Sequence, residues 1–132
     1  MKDIGIVRSP DDLGRIVIPA ELRRKLNLTR GNEASIYYKE DKVYILSLVN
    51  KPKEEEYGMI KQVDKLGRLV IPASTRHKLG INKNVDLHFF TKNKMVILQK
   101  VGCIFCQNTK KIKNFNDYKI CTNCIKEIKD NF

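Results

Sequence analysis

Along the first hundred residues, apolar and polar positions alternate in short strand-like runs, interrupted once in each half by a helical spacing. Ile4 to Ser9 alternate well enough for a short strand. Asp11-Asp12-Leu13-Gly14 then reads as a turn in which Gly14 is free to take positive φ. Arg15 to Ile18 predicts a second strand, rich in β-branched residues. Pro19 suits the first position of a helix, where its missing N–H costs nothing, and the helix is expected to run from Pro19 to Leu26. Glu21 lies in its first turn and Arg23, Arg24 and Lys25 near its end, which complements the helix dipole. Leu22 and Leu26 form its buried stripe. Residues 34–39 and 42–47 predict two strands that meet at the tight turn Glu40-Asp41.

The whole pattern then recurs. Placing Gly5 over Gly58 aligns residues 5–46 with 58–99 without a gap, matching Asp11 to Asp64, Gly14 to Gly67, Arg15 to Arg68, Val17 to Val70, Ile18 to Ile71 and Pro19 to Pro72. The second copy closes with Val85 to Thr91 and Met95 to Gln99 around Asn93-Lys94. Each copy reads as strand, turn, strand, short helix, hairpin. Two copies are too few for a solenoid, and a module of about 45 residues buries too little apolar surface to stand alone. Two modules packed together share a core. The charged, Pro-containing segment 49–56 between them reaches at most about 26–29 Å when extended, enough to let the copies of one chain pair. The expected organisation is a first repeat at 1–48, a linker at 49–56, a second repeat at 57–100 and a separate tail at 101–132, in a mostly β fold with short helices.

Charge changes this picture. The chain has 132 residues with 26 Lys and Arg against 15 Asp and Glu, a formal net charge of +11. Such an excess favours a polyanionic partner, although a charge kept for solubility has the same composition. An apolar fraction of 42% excludes wholesale disorder. No apolar run approaches the roughly 20 residues that span a bilayer, and Met1-Lys2-Asp3-Ile4-Gly5 lacks the apolar core of a signal peptide. A cytoplasmic, nucleoid-associated protein is expected. Four cysteines in that reducing setting suggest metal ligation more than disulfides.

Those cysteines sit where the repeat has stopped. Cys103-Ile104-Phe105-Cys106 and Cys121-Thr122-Asn123-Cys124 are two Cys-x-x-Cys knuckles separated by fourteen residues, a spacing in which four thiolates converge on one Zn²⁺. Disulfide or redox chemistry and unrelated buried cysteines are the competing readings, but neither knuckle has the βαβ context of a thioredoxin-like site. Four sulfurs close the coordination shell, so a structural zinc, one per chain, is expected rather than a catalytic one. The tail has too few apolar anchors for an independent core, which couples its folding to the metal. Ile125 to Lys129 predict a short helix, Lys110, Lys111 and Lys113 an exposed loop, and Phe105, Phe115 and Tyr118 packing around the metal site.

From Gly5-Ile6-Val7-Arg8 through Leu13-Gly14-Arg15-Ile16-Val17-Ile18-Pro19-Ala20-Glu21-Leu22-Arg23-Arg24, the sequence closely resembles the AbrB/SpoVT family. The match covers residues 4–47 and, more loosely, 57–99. The resemblance implies a swapped-hairpin fold, in which two modules interleave their strands into one β-barrel, and DNA binding without a helix-turn-helix. In that family the two modules usually come from two chains. By motif position it implies DNA contacts at Arg8, Arg15, Arg23 and Arg24, with Lys61, Arg68, Arg76 and His77 as their counterparts. Lys61 and His77 replace arginines and neither is conservative for a bidentate contact, so the first repeat is expected to hold DNA more firmly. The tail resembles, more weakly, the zinc-knuckle ends of some AbrB-like regulators, which implies a homo-oligomer assembled through the C-terminal module.

The chemistry stands beside the resemblance. Arginine forks pair two N–H groups with a phosphate or with the O6/N7 edge of guanine. Backbone neutralisation supplies affinity and salt dependence, and base contacts or DNA deformability supply selectivity. An enzyme is not expected, since His77 and His88 sit at non-equivalent positions and no nucleophile–base constellation or phosphate loop is found. The leading expectation is a DNA-binding transcriptional regulator, a repressor or transition-state type. The alternative is a MazE-like antitoxin that binds DNA and a toxin; such proteins share the swapped-hairpin fold, though their tails are often acidic where this one is basic. A third reading, an RNA-binding zinc protein, rests on the basic, aromatic-bearing tail.

Overall fold

A computed structural model describes residues 1–50, 58–106 and 108–132. It separates into two compact units, Met1–Gln99 and Lys100–Phe132. Of the expected linker, Val49 and Asn50 belong to a single 3-10 turn, Leu48–Asn50, and 51–56 lie outside the described residues.

The first unit interleaves the two repeats. The first repeat contributes β1 (Lys2–Arg8), β2 (Arg15–Val17), α1 (Ala20–Lys25), β3 (Glu33–Lys39) and β4 (Lys42–Ser47). The second contributes β5 (Met59–Gln62), β6 (Arg68–Val70), α2 (Ala73–Leu79), β7 (Leu87–Lys92) and β8 (Met95–Lys100). Six of these strands form one sheet in the order β1-β7-β8-β4-β3-β5. Each repeat's opening strand therefore pairs with the other's hairpin: β1 lies on β7 with Arg8 opposite Leu87, and β5 lies on β3 with Lys61 opposite Ala34. The two hairpins join through β4 and β8, where Tyr44 faces Ile97. These pairs are equivalent under the repeat offset, so the exchange has an approximate two-fold axis. The swap expected between two modules takes place within one chain.

The remaining strands, β2 and β6, form a two-stranded antiparallel ribbon with Ile16 opposite Leu69. Period-2 alternation sends Ile16 and Leu69 inward, both fully buried, and leaves Arg15, Val17, Arg68 and Val70 on the outer face. Ribbon, helices and sheet share one core that includes Ile18, Leu22, Leu26, Ile36, Ile45, Ile71, Leu87 and Phe89. The helix stripe Leu22 and Leu26 is buried as the spacing required. Pro19 and Pro72 stand one residue earlier than expected: they are the N-caps, with extended ψ near 140°, and the helices begin at Ala20 and Ala73.

The second unit contains β9 (Ile112–Phe115), β10 (Tyr118–Cys121) and α3 (Thr122–Asn131). The hairpin departs from the sequence reading, which placed the lysines of this stretch in a loop; Lys113 lies on β9, opposite Ile120. The turn Asn116-Asp117 explains it, because both residues take positive φ, a conformation that Asn and Asp tolerate and that matches strand twist. The helix is also longer than expected and starts at the second knuckle. No helix among the described residues is long and apolar enough to cross a membrane.

Candidate nucleic-acid interface and metal centre

Each end of the ribbon is built around an aspartate. The Asp11 carboxylate accepts the backbone N–H of Leu13 at 3.0 Å and of Arg15 at 2.8 Å, closing the turn. Its second oxygen accepts Nε of Arg15 at 2.5 Å. Asp64 repeats this with Leu66, Arg68 and the Arg68 Nε at 2.7 Å. The backbone and side-chain bonds from Arg15 hold the Asp11 carboxyl below its ordinary value. At Asp64 burial pushes the carboxyl up, but the hydrogen bonds from Arg68 outweigh it and the net shift is downward. Each guanidinium is thus fixed through Nε and stays partly exposed on the outer face of the ribbon. Fixing the fork removes rotamer entropy that a contact with an anion otherwise has to overcome.

The turns rest on the opposite repeat's helix. Ile18 donates its N–H to the Gly67 carbonyl at 2.9 Å, and Ile71 to that of Gly14 at 2.8 Å. Gly14 and Gly67 have φ near +79° and +77°, and a Cβ added to them overlaps the side chains of Arg76 and Arg23 respectively. Those two arginines are half-buried. Arg23 Nη1 donates to the Ile18 carbonyl at 2.8 Å and Arg76 Nε to the Ile71 carbonyl at 2.9 Å. Arg23 and Arg76 therefore hold the turn in place as well as flanking the outer arginines. Arg8, Arg24 and His77 are exposed and Lys61 half-buried, at the ends of β1 and β5 and on the helices. Sequence reasoning missed the aspartates; the signal was present, since Asp11 and Asp64 each precede a motif arginine by four residues in both copies. His88, outside this face, bonds Asp3 at 2.6 Å and stacks on Phe90.

In the second unit the topology gathers all four cysteines. Their sulfurs lie within 4.8 Å of one another, with Cys106 and Cys121 3.6 Å apart. Four sulfurs about 2.3 Å from a tetrahedral Zn²⁺ have edges of about 3.8 Å, so the donor set fits such an ion with its shell closed. All four are free thiols. The N–H of Phe105 points at Cys103 Sγ and that of Cys124 at Cys121 Sγ, each at 3.5 Å. Burial acts to raise the Cys103 thiol, but backbone hydrogen bonds from Cys121, Cys106 and Phe105 bring it down to about 6. Cys124 is pushed well above the usual thiol range by its bond to Cys121, by burial and by the nearby sulfurs. Cys106 also rises, because Cys121 and burial overcome the backbone bond from Asn108. The Cys103 thiolate is favoured while the Cys106 and Cys124 thiols are held protonated, and a divalent cation is the charge that would let thiolates share the site. Contrary to expectation, Phe105, Phe115 and Tyr118 are exposed rather than packed around the sulfurs.

Residues 11–56, about a third of the chain, match the family described as antidote-toxin recognition MazE, bacterial antitoxin. The chain is similar to the transition state regulatory protein AbrB of Bacillus subtilis (strain 168), 47% identical over 45 residues, covering 34% of this chain and 47% of that protein. It is 50% identical over 46 residues to stage V sporulation protein T of the same organism, covering 35% of this chain and 26% of that protein. The matches thus span less than half the length of these relatives. Among solved structures, the solution structure of PHS018 from Pyrococcus horikoshii is similar with a TM-score of 0.41 and 18% identity, covering 71% of this chain and 85% of that chain.

Proposed function

We propose that this chain is a DNA-binding transcriptional regulator, a repressor or transition-state type, whose outer ribbon meets duplex DNA. The observation that carries the reading is the pair Arg15 and Arg68, fixed by Asp11 and Asp64 on one face of the ribbon. Arg8, Lys61, Arg24 and His77 extend the contact at its flanks, while Arg23 and Arg76 support the turns and offer their remaining donors. Similarity to regulators named for transition-state and sporulation control supports the same role. The role is non-enzymatic. The test is Arg15→Ala with Arg68→Ala, which is expected to abolish tight, salt-sensitive DNA binding in an anisotropy titration. Exposed ion pairs contribute little to stability, so losing these two should leave the circular dichroism unchanged. Intact binding by the double variant refutes the assignment.

The cysteine cluster is assigned a structural Zn²⁺, one per chain, held by Cys103, Cys106, Cys121 and Cys124. The role proposed for this module is assembly of homo-oligomers. A second reading is favoured by the match over residues 11–56: a MazE-like antitoxin that binds both DNA and a toxin. Purification of the native protein separates the two, since a stoichiometric small protein partner supports the antitoxin and its absence the regulator.

A further inference from the structure

The swap changes what must be compared across the two-fold axis. Neither basic cluster belongs to one repeat: each end of the ribbon takes its turn from one repeat and its helix from the other, because Gly14 packs on Arg76 and Gly67 on Arg23. One end thus groups the turn Asp11–Arg15 with α2, and the other groups Asp64–Arg68 with α1.

At the first end, Asp12 at the tip of the turn pairs with Lys83 at 3.2 Å, across the repeats. That pair shows that these two positions meet in space. Their counterparts under the repeat offset are Lys65 and Arg30, two cations. The local backbone agrees: Gly31 donates its N–H to the Val63 carbonyl at 3.0 Å and Val63 donates to that of Asn32 at 2.9 Å, which sets Arg30 beside the strand leading into Lys65. Both Arg30 and Lys65 are exposed. The helices add to the imbalance, since Arg24 accompanies Lys65 and Arg30, whereas His77 accompanies Asp12 and Lys83. Apart from the cations matched at both ends, one end carries two guanidinium groups and an ammonium, offset in part by Glu21 on α1, whose counterpart is Ser74; the other carries an ammonium already paired with a carboxylate, and an imidazole.

We propose that the ribbon grips DNA unequally, with Arg30 and Lys65 forming a phosphate-binding corner beside Arg24 at one end that the Asp12–Lys83 ion pair cancels at the other. The proposal rests on the DNA-binding reading. It also replaces the expectation that the first repeat holds DNA more firmly, because the strong end is made from both repeats. Two like charges held close together lower their repulsion by binding the non-bridging oxygens of one or two neighbouring backbone phosphates, each a monoanion, and counterion release makes the contribution salt-dependent. The weak end retains Arg15 for orientation but adds little backbone neutralisation. A tandem chain can hold such an asymmetry, whereas two identical chains cannot.

The test exchanges the tips. Lys65→Asp makes the second turn like the first, and Asp12→Lys does the reverse; both are exposed turn positions. Each variant of the full chain, zinc-loaded, is titrated with a mixed-sequence duplex at several salt concentrations. Lys65→Asp is expected to weaken binding about tenfold and to reduce the slope of log K against log salt by about one, and Asp12→Lys to strengthen binding and steepen the slope. Arg30→Ala should weaken binding more than Lys83→Ala. If the unaltered chain binds duplex with strong salt dependence but the exchanges leave the slope unchanged, or Arg30 and Lys83 prove equivalent, the unequal grip is overturned and the DNA-binding reading stands. If the unaltered chain shows no salt-dependent binding, both fall.

Discussion

Gly14 shows how a single atom links the repeats. Its φ near +79° disfavours any L side chain, and the space where a Cβ belongs is filled by the Arg76 side chain of the other half. Gly14→Ala is therefore expected to destabilise by about 2 kcal/mol or more, summing backbone strain and displacement of Arg76. The two parts separate in a double-mutant cycle: Arg76→Ala removes the clash but not the strain, so part of the loss should be recovered in the Gly14→Ala, Arg76→Ala protein. Urea denaturation of the four proteins reads the coupling, and strict additivity excludes the contact. The aspartates at the same turns set an acid limit. Asp11 and Asp64 are both shifted below the ordinary carboxylate value of 3.8, so their turns contribute stability that is complete above that pH. The contribution is lost as pH falls through the lowered folded values. Asp11→Asn with Asp64→Asn should flatten the acid limb of a stability–pH curve below pH about 4 while leaving its shape at neutral pH.

At the scale of elements, β2 and β6 are only three residues each, too short to persist without tertiary support. Their persistence comes from Ile16 and Leu69, fully buried and opposite one another. Leu69→Ala is expected to cost about 2–5 kcal/mol, and Val17→Ala, on the outer face of the same ribbon, a small fraction of that. A chemical denaturation midpoint distinguishes them. The strand itself was legible in the β-branched run Arg15 to Ile18, as were the helix stripe at Leu22 and Leu26 and both hairpin turns, because propensity, period and turn chemistry are local. Which of Ile16 and Val17 is buried was not, since the run Arg-Ile-Val-Ile does not alternate. The exchange of β1 and β5 was legible only as a resemblance, since strand pairing between distant segments leaves no periodic trace in either. The tail hairpin escaped for another reason: Ile112, Phe115, Tyr118 and Ile120 are too few and too exposed to alternate cleanly. The Asp12–Lys83 pair was hidden because its members are seventy-one positions apart and meet only through the swap.

At the scale of the molecule, pairing within one chain makes stability independent of association. A swapped unit assembled from two chains loses stability on dilution, whereas the first unit here has both halves tethered. Its thermal midpoint is expected to stay constant over a hundredfold change in protein concentration, and a midpoint that falls on dilution points to exchange between chains. Among the described residues, the core cluster lies within Met1–Gln99, and none of it belongs to the cysteine module. Removing metal should therefore act on one unit alone. Chelation of the zinc-loaded protein is expected to release about one Zn²⁺ per chain and to expose the four thiols to alkylation. It should also unfold α3, whose N-cap is Cys121 and whose first turn is capped by that sulfur through the Cys124 N–H. The loss of helical circular dichroism should be confined to those ten residues, while the cooperative unfolding of the β core keeps its midpoint. Amide hydrogen exchange reads both units in one experiment. If protection in β2, β6 and the six-stranded sheet collapses together with that of α3, the two units share a stability that their separate cores do not provide, and the assignment of zinc to the tail alone is wrong.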